Sequence, residues 1–408
     1  MTNQIRLTLI AFMSYMVMSG LLTQAGVILN AIAGQLGLPA AEAVKVFSWL
    51  TGGALVGTCI SMYLYTRFSL GLLLSATYVT FLLLMGGLYA LPGYGFGILG
   101  AVLFGLGVCC GCGLSGGAVI ISRIYRAQRR ASAFIATDCS FSAAGYIFPT
   151  LAGWLLVQKL DWRLSYIAVA LLAVLILVLV FTSTLPDTQG ANPHQGAQDS
   201  DNAAAQFKRI ITPRVMCFAV GVCLYLIAQT TFLTWAPNYL MVEFSANQKT
   251  AGQIVGNYWG FSIFGLLLSV VLVNMVPTRV MLLTVSSLAV CFTCAFLILG
   301  DLSLFLSLGI AFGLLTTCIY KIAISVGTQQ ITDSPPMLVT LMLFSGSVGS
   351  TLAPALSGMV VAVSDESGAL MLSFVAFAVM LIMFTIAVVL EKRKEKLIMP
   401  GTPGIIKS

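Results

Sequence analysis

The stretch TDCSFSAAGYIFPTLAG, residues 137–153, decides the fold. It is apolar and small-sided. With its flanks it is long enough to cross a hydrocarbon core of about 30 Å as a helix. Yet it carries a carboxylate, Asp138, near its start. A charge inside a span costs on the order of 2.5–3.5 kcal/mol even on the milder insertion scales. The stretch therefore predicts a membrane helix with one residue whose presence needs a reason.

The rest of the chain has the same character. Its 408 residues are 59% hydrophobic and 8% charged, with a mean hydropathy of +1.00. Soluble domains carry about 25% charged residues, so lipid is the expected solvent. Long apolar runs recur at 8–33, 46–66, 69–90, 97–122, 132–157, 163–185, 214–240, 251–275, 279–299, 302–327, 337–362 and 368–390. Each can span a bilayer as a helix. The short alternating strands of a membrane barrel are absent. "AIA" at 31–33 mimics a signal-peptide cleavage site, but the run is too long for one and further runs follow. The expected class is an all-α integral membrane protein of twelve transmembrane helices in two six-helix repeats.

The segment 186–212, with "DTQGANPHQGAQDSDNAAAQ", is polar and aperiodic and reads as a flexible linker. It divides the chain into a half at 1–185, a linker at 186–212, a half at 213–390 and a tail at 391–408. Arg6, Arg67, the run RIYRAQRR (123–130), Arg279 and the basic tail fall on one side of the membrane. Lys45, Lys159, Arg163 and Lys249 fall on the other. The positive-inside bias places both termini and the linker in the cytoplasm. The five tryptophans fall toward the outer side, as an interfacial belt would. The basic run could hold an anion, but such runs usually anchor topology. The net charge of +7 is therefore no sign of nucleic-acid binding.

The halves repeat. In one constant offset Gln24 falls on Gln229, Ser142 on Ser347, Pro149 on Pro354 and Gly153 on Gly358; "PTLAG" in the fifth span answers "PALSG" in the eleventh. Asp138, Ser142, Gly145, Pro149 and Gly153 share one helix face. That small face invites close approach by a neighbouring helix, and an internal proline removes a backbone donor and kinks the helix. Pro149 and Pro354 are the expected hinges. At the position of Asp138 the second half has Leu343, so the acid belongs to one half only.

No enzyme constellation is present. The single histidine, His194, lies in the linker, and no phosphate-binding GxxxxGK[ST] occurs. The ten cysteines fall in apolar runs, which suits packing rather than disulfides or a metal. The glycine-rich GLGVCCGCGLSGG (105–117) lies in the fourth span and reads as a close-packing face. No cofactor or metal is implied. The candidates for solute contact are Gln24, Asn30, Gln229, Trp235, Asn238, Asn257, Tyr258 and Trp259, whose amides and rings suit a small polar or amphipathic solute. The same amides could instead tie helix to helix. Asp138 and Lys321 are the only charges well inside the runs. They lie at similar depth and in opposite halves. They are expected to pair when the cavity faces out and to separate when it faces in. The alternative is that Asp138 pairs with Arg123 while Lys321 snorkels to the interface. Asp138 could also carry a coupling proton, since burial and neighbouring charge shift a carboxylate.

The stretches TDCSFSAAGYIFP (137–149), YLIAQTTFLTWAPNY (225–239), NYW (257–259) and IYKIAISVGTQQ (319–330) resemble the major facilitator superfamily, and within it the bacterial TsgA group of inner-membrane proteins. The resemblance covers both halves. It implies a twelve-helix bundle that works by alternating access as a secondary transporter in the bacterial inner membrane, most simply as a monomer. It names no substrate. The superfamily's loop signature after the second helix is reduced here to MYLYTRFS, keeping Arg67. Against the group's pattern, Gly34 and Asn238 stand where acids are usual, and Lys321 where Thr is. The competing reading is a receptor or assembly partner on the same fold without transport. It would call for a large extra domain or long loop, and none is seen in the sequence.

Overall fold

The computed structural model describes residues 2–90, 93, 95–125, 127–185, 211–330 and 336–398. Most of the linker (186–210) and the last ten residues lie outside them. The helices are α1 (Asn3–Leu22), α2 (Ala25–Leu36), α3 (Ala40–Ala43), α4 (Val46–Arg67), α5 (Leu70–Ala90), α6 (Phe96–Ile124), α7 (Ala127–Val157) and α8 (Arg163–Thr182) in the first half. The second half holds α9 (Pro213–Glu243), α10 (Gln248–Met275), α11 (Thr278–Ile298), α12 (Leu302–Thr316), α13 (Ile319–Thr328), α14 (Pro336–Val363) and α15 (Glu366–Ile398). They make twelve spans long and apolar enough to cross a membrane.

Local chemistry sets several boundaries. Thr212 caps α9 by accepting from Val215 N, with Pro213 at the first helical position, where a missing N–H costs nothing. Asn247 and Asp301 cap α10 and α12 in the same way. Gly37, at φ +64°, closes α2 in the left-handed conformation that glycine adopts freely. The tail expected from 391 starts inside a helix, because α15 runs on to Ile398. Of the run at 123–130, Arg123 and Ile124 end α6 and the residues from Ala127 on begin α7.

The first and tenth spans are each broken, whereas the sequence reads them as continuous. Neither break needs proline. At the first, Thr23 Oγ1 bonds Ser19 O (2.8 Å) and Gln24 Nε2 bonds Gly20 O (2.7 Å). At the second, Thr316 Oγ1 bonds Phe312 O (2.5 Å) and Thr317 Oγ1 bonds Gly313 O (2.6 Å). Side chains that bond the carbonyl four residues back compete with the helix ladder and bend it. At each break two consecutive carbonyls are engaged.

Glycine brings helices into backbone contact in both halves. On α4 and α6, Gly53 faces Phe104 O, Gly57 faces Val108 O, and Gly107 and Gly111 face Leu50 O and Ala54 O. On α10 and α12, Gly265 faces Leu314 O and Gly313 faces Tyr258 O. This is the close-packing role expected for the glycine-rich stretch. Any side chain at these positions would have to displace backbone.

The small face of α7 is the main seam between halves. Ser262 Oγ donates to Ser142 Oγ (2.9 Å). Trp259 of α10 covers Gly145, and Gly153 lies against Gln248 and Lys249. The tryptophan belt holds only in part. Trp49 and Trp154 are exposed, but Trp235 is fully buried and Trp162 nearly so. Trp162 Nε1 is turned inward to Gln35 Oε1 (2.8 Å), and Trp259 is wedged in the seam against Phe141, with ring centroids 5.3 Å apart. Nearly every residue on these helices is apolar, so periodicity cannot say which tryptophans face lipid.

Candidate functional site

The two ends of the bundle differ. At the end away from the chain termini the halves are in direct contact. Gly26 of α2 meets the Leu233 and Thr234 carbonyls of α9, and Gly358 of α14 meets Ala41 O. Asn30 Nδ2 donates to Asn238 Oδ1 (2.9 Å), and Gln248 Nε2 donates to Val27 O (2.7 Å). This far end is closed by interlocked backbone.

Toward the termini the tie is electrostatic. Lys321 Nζ lies 3.0 Å from Asp138 Oδ2. Lys321 sits just past the break in the tenth span, and Asp138 lies on the face of α7 that forms the seam. Tyr320 stacks on Tyr225 (6.3 Å between centroids, 19° between planes), and its ring centroid is 5.7 Å from Lys321 Nζ. Although both charges lie inside spans, the Lys321 side chain is 52% exposed and that of Asp138 24%. The pair is only partly covered by protein.

In this structure Asp138 pairs with Lys321, and Arg123 stands exposed at the end of α6. The pair coexists with a closed far end.

The polar candidates divide into two groups. Gln229 Nε2 donates to Tyr258 OH (2.6 Å), and Tyr258 packs edge-on against Trp259 (5.2 Å). Gln24 is also fully buried, at the break in the first span. Asn30 and Asn238 belong instead to the far-end contact. Asn257 donates to Leu306 O (3.2 Å), which makes it a tie from α10 to α12. Within the described residues Gln24 Oε1, Trp235 Nε1, Asn238 Nδ2 and Trp259 Nε1 are buried and find no protein partner. A buried polar group left so costs about 1–3 kcal/mol. Thr231 Oγ1, missed in the sequence, is another. It shares a face of α9 with Trp235 and Asn238, at steps of four and three. Tyr320 and Ser262 were missed as well; only Tyr320 had a signal, its place beside Lys321. A cavity of about 540 Å³ at the far end, lined by Gln35, Lys159, Asp161, Trp162 and Arg163, contains none of the candidates. No group of three or more His, Cys, Asp or Glu able to hold a metal occurs among the described residues.

The family model described as Major Facilitator Superfamily matches residues 7–332. The chain belongs to that superfamily. It is a multi-pass membrane protein and a secondary transporter of a small solute. It is similar to the protein TsgA homolog of Yersinia pestis (strain Pestoides F), 28% identical over 370 residues, covering 90% of this chain and 91% of the other. The TsgA homolog of Yersinia pseudotuberculosis serotype O:1b is equally similar. Among solved superfamily structures, the nucleoside transporter NupG superposes with a TM-score of 0.72 at 13% identity, over 98% of this chain and 100% of that one. The D-xylose-proton symporter superposes with a TM-score of 0.69 at 13% identity, over 96% and 97%. At such identity these likenesses speak for the fold.

Proposed function

We propose that this superfamily member carries a small polar solute across the bacterial inner membrane by alternating access, with both termini in the cytoplasm and the chain acting as a monomer. The halves are 1–185 and 213–390, joined by the linker 186–212. The solute meets Gln24, Gln229, Trp235, Tyr258 and Trp259 between the halves. Asn30 and Asn238 close the far side over it, and Asn257 holds α10 in place. Asp138 and Lys321 tie the halves on the termini side. The observation that carries this reading is the ion pair inside the membrane, shared between the halves and only partly covered by protein.

Pairing is the usual remedy for an intramembrane charge, but a purely structural pair has no need to join two moving halves. A proton on Asp138 removes its charge and frees Lys321, so coupling and opening become one event. Pro149 and Pro354 bend α7 and α14 as the halves rock. The test is flux in proteoliposomes under an imposed proton gradient, using solutes that stabilise the purified protein. Accumulation that survives Asp138→Asn unchanged would remove Asp138 from coupling. Absence of flux for every stabilising solute would remove transport.

A further inference from the structure

Asp138 and Lys321 carry opposite charges, one from each half. In the internal repeat Asp138 corresponds to Leu343 and Lys321 to Gly116, so neither half holds a balanced pair by itself. At 52% and 24% exposure neither charged side chain is fully covered by protein. The Tyr320 ring lies beside Lys321 and is braced by Tyr225, an aromatic face against the lysine's own cation that helps to hold its side chain in place.

Charge balance restricts what can enter. A solute with one net charge could satisfy only one member of the pair. It would leave the other uncompensated inside the membrane, where an isolated charge is costly. A neutral solute can hydrogen-bond to either charge but cannot replace the pair charge for charge. A solute with both an anionic and a cationic group can exchange the direct pair for two pairs with itself, at no change in net charge.

We propose that the solute is a zwitterion whose anionic group meets Lys321 and whose cationic group meets Asp138, replacing their direct bond. This rests on the transport reading above. It adds that the tie on the termini side is released by the solute's own charges.

The experiment uses the purified full chain and measures thermal stabilisation by four probe sets. These are zwitterions (the common amino acids and glycine betaine), amino-acid amides as cations, the matching 2-hydroxy acids as anions, and neutral D-xylose and uridine. The expected result is stabilisation by one or more zwitterions at concentrations at least tenfold below those of their singly charged counterparts. In Asp138→Asn the zwitterion should lose its advantage over the hydroxy acid. In Lys321→Gln it should lose its advantage over the amide. The double variant Asp138→Asn/Lys321→Gln keeps the net charge and serves if the single variants fold poorly; it should lose both preferences. If a neutral or singly charged solute binds best, or the double variant keeps the zwitterion preference, the zwitterion assignment is overturned while transport stands. If no set stabilises the protein and none is carried in proteoliposomes, both readings fall.

Discussion

The far end of the bundle is closed by glycines set against backbone, at Gly26 on Thr234 O and Gly358 on Ala41 O. The termini end is tied by two charges 3.0 Å apart, an exposed lysine and a half-buried aspartate. The first kind of closure is dry and short-ranged, and any added volume breaks it. The second tolerates movement and yields to protonation, salt or a competing charge. A carrier that must open its two sides in turn has here one closure that responds to shape and one that responds to charge.

The largest effect is expected at the far end. Gly26→Val puts side-chain atoms where the Thr234 carbonyl lies. Overpacking of this kind costs about 1–3 kcal/mol, here charged wholly to the closed far end. Transport should fall close to background, and far-end positions should become more reactive to membrane-impermeant labels. Unchanged labelling and flux would show that the contact is incidental.

Next comes the ion pair. Asp138→Lys and Lys321→Asp should each impair transport about tenfold or more, since each places two like charges at one intramembrane site. The double swap should recover part of the loss. A double swap no better than the worse single variant would contradict a direct pair. Asp138→Asn alone should abolish accumulation driven by a proton gradient.

How far these residues could be read in advance depends on the signal each carries. The spans follow from apolar length, and the seam follows from the small residues at helical spacing from Ser142 to Gly153. The pair follows from its signs and shared depth. The breaks at Thr23–Gln24 and Thr317–Cys318 are different, because the features that mark them are side-chain bonds to carbonyls four residues back. Threonine makes such bonds in unbroken helices too, as Thr58 does with Ala54 O on α4. Nor could the sequence separate Asn257, a tie to Leu306 O, from Gln229, which bonds Tyr258. Both are amides in apolar helices, and only the neighbours distinguish them.

A smaller effect is expected at the hinges. Pro149→Ala and Pro354→Ala should slow turnover several-fold while leaving solute affinity within about twofold, because proline's missing donor eases bending rather than binding. Loss of affinity with normal turnover would assign these prolines to the site instead. The smallest effect lies at the far-end loop. Hydrogen bonds from Arg163 hold the Asp161 carboxylate below its usual range. The depressed group contributes stability above the ordinary carboxylate range, and this is lost as pH falls through its lowered value. Asp161→Asn should therefore lower neutral-pH stability slightly and flatten the decline on acidification, the two proteins converging at low pH. An equal decline in both proteins would contradict this.

The central claim is that the Asp138–Lys321 tie opens and closes between the halves. Spin labels at Ala136 on α7 and Ser325 on α13, in a cysteine-free background with the pair intact, report that separation directly by pulsed electron resonance. The account predicts two distance populations, with Asp138→Asn/Lys321→Gln shifting weight to the longer one. A single distance, identical with and without the charges, would contradict it.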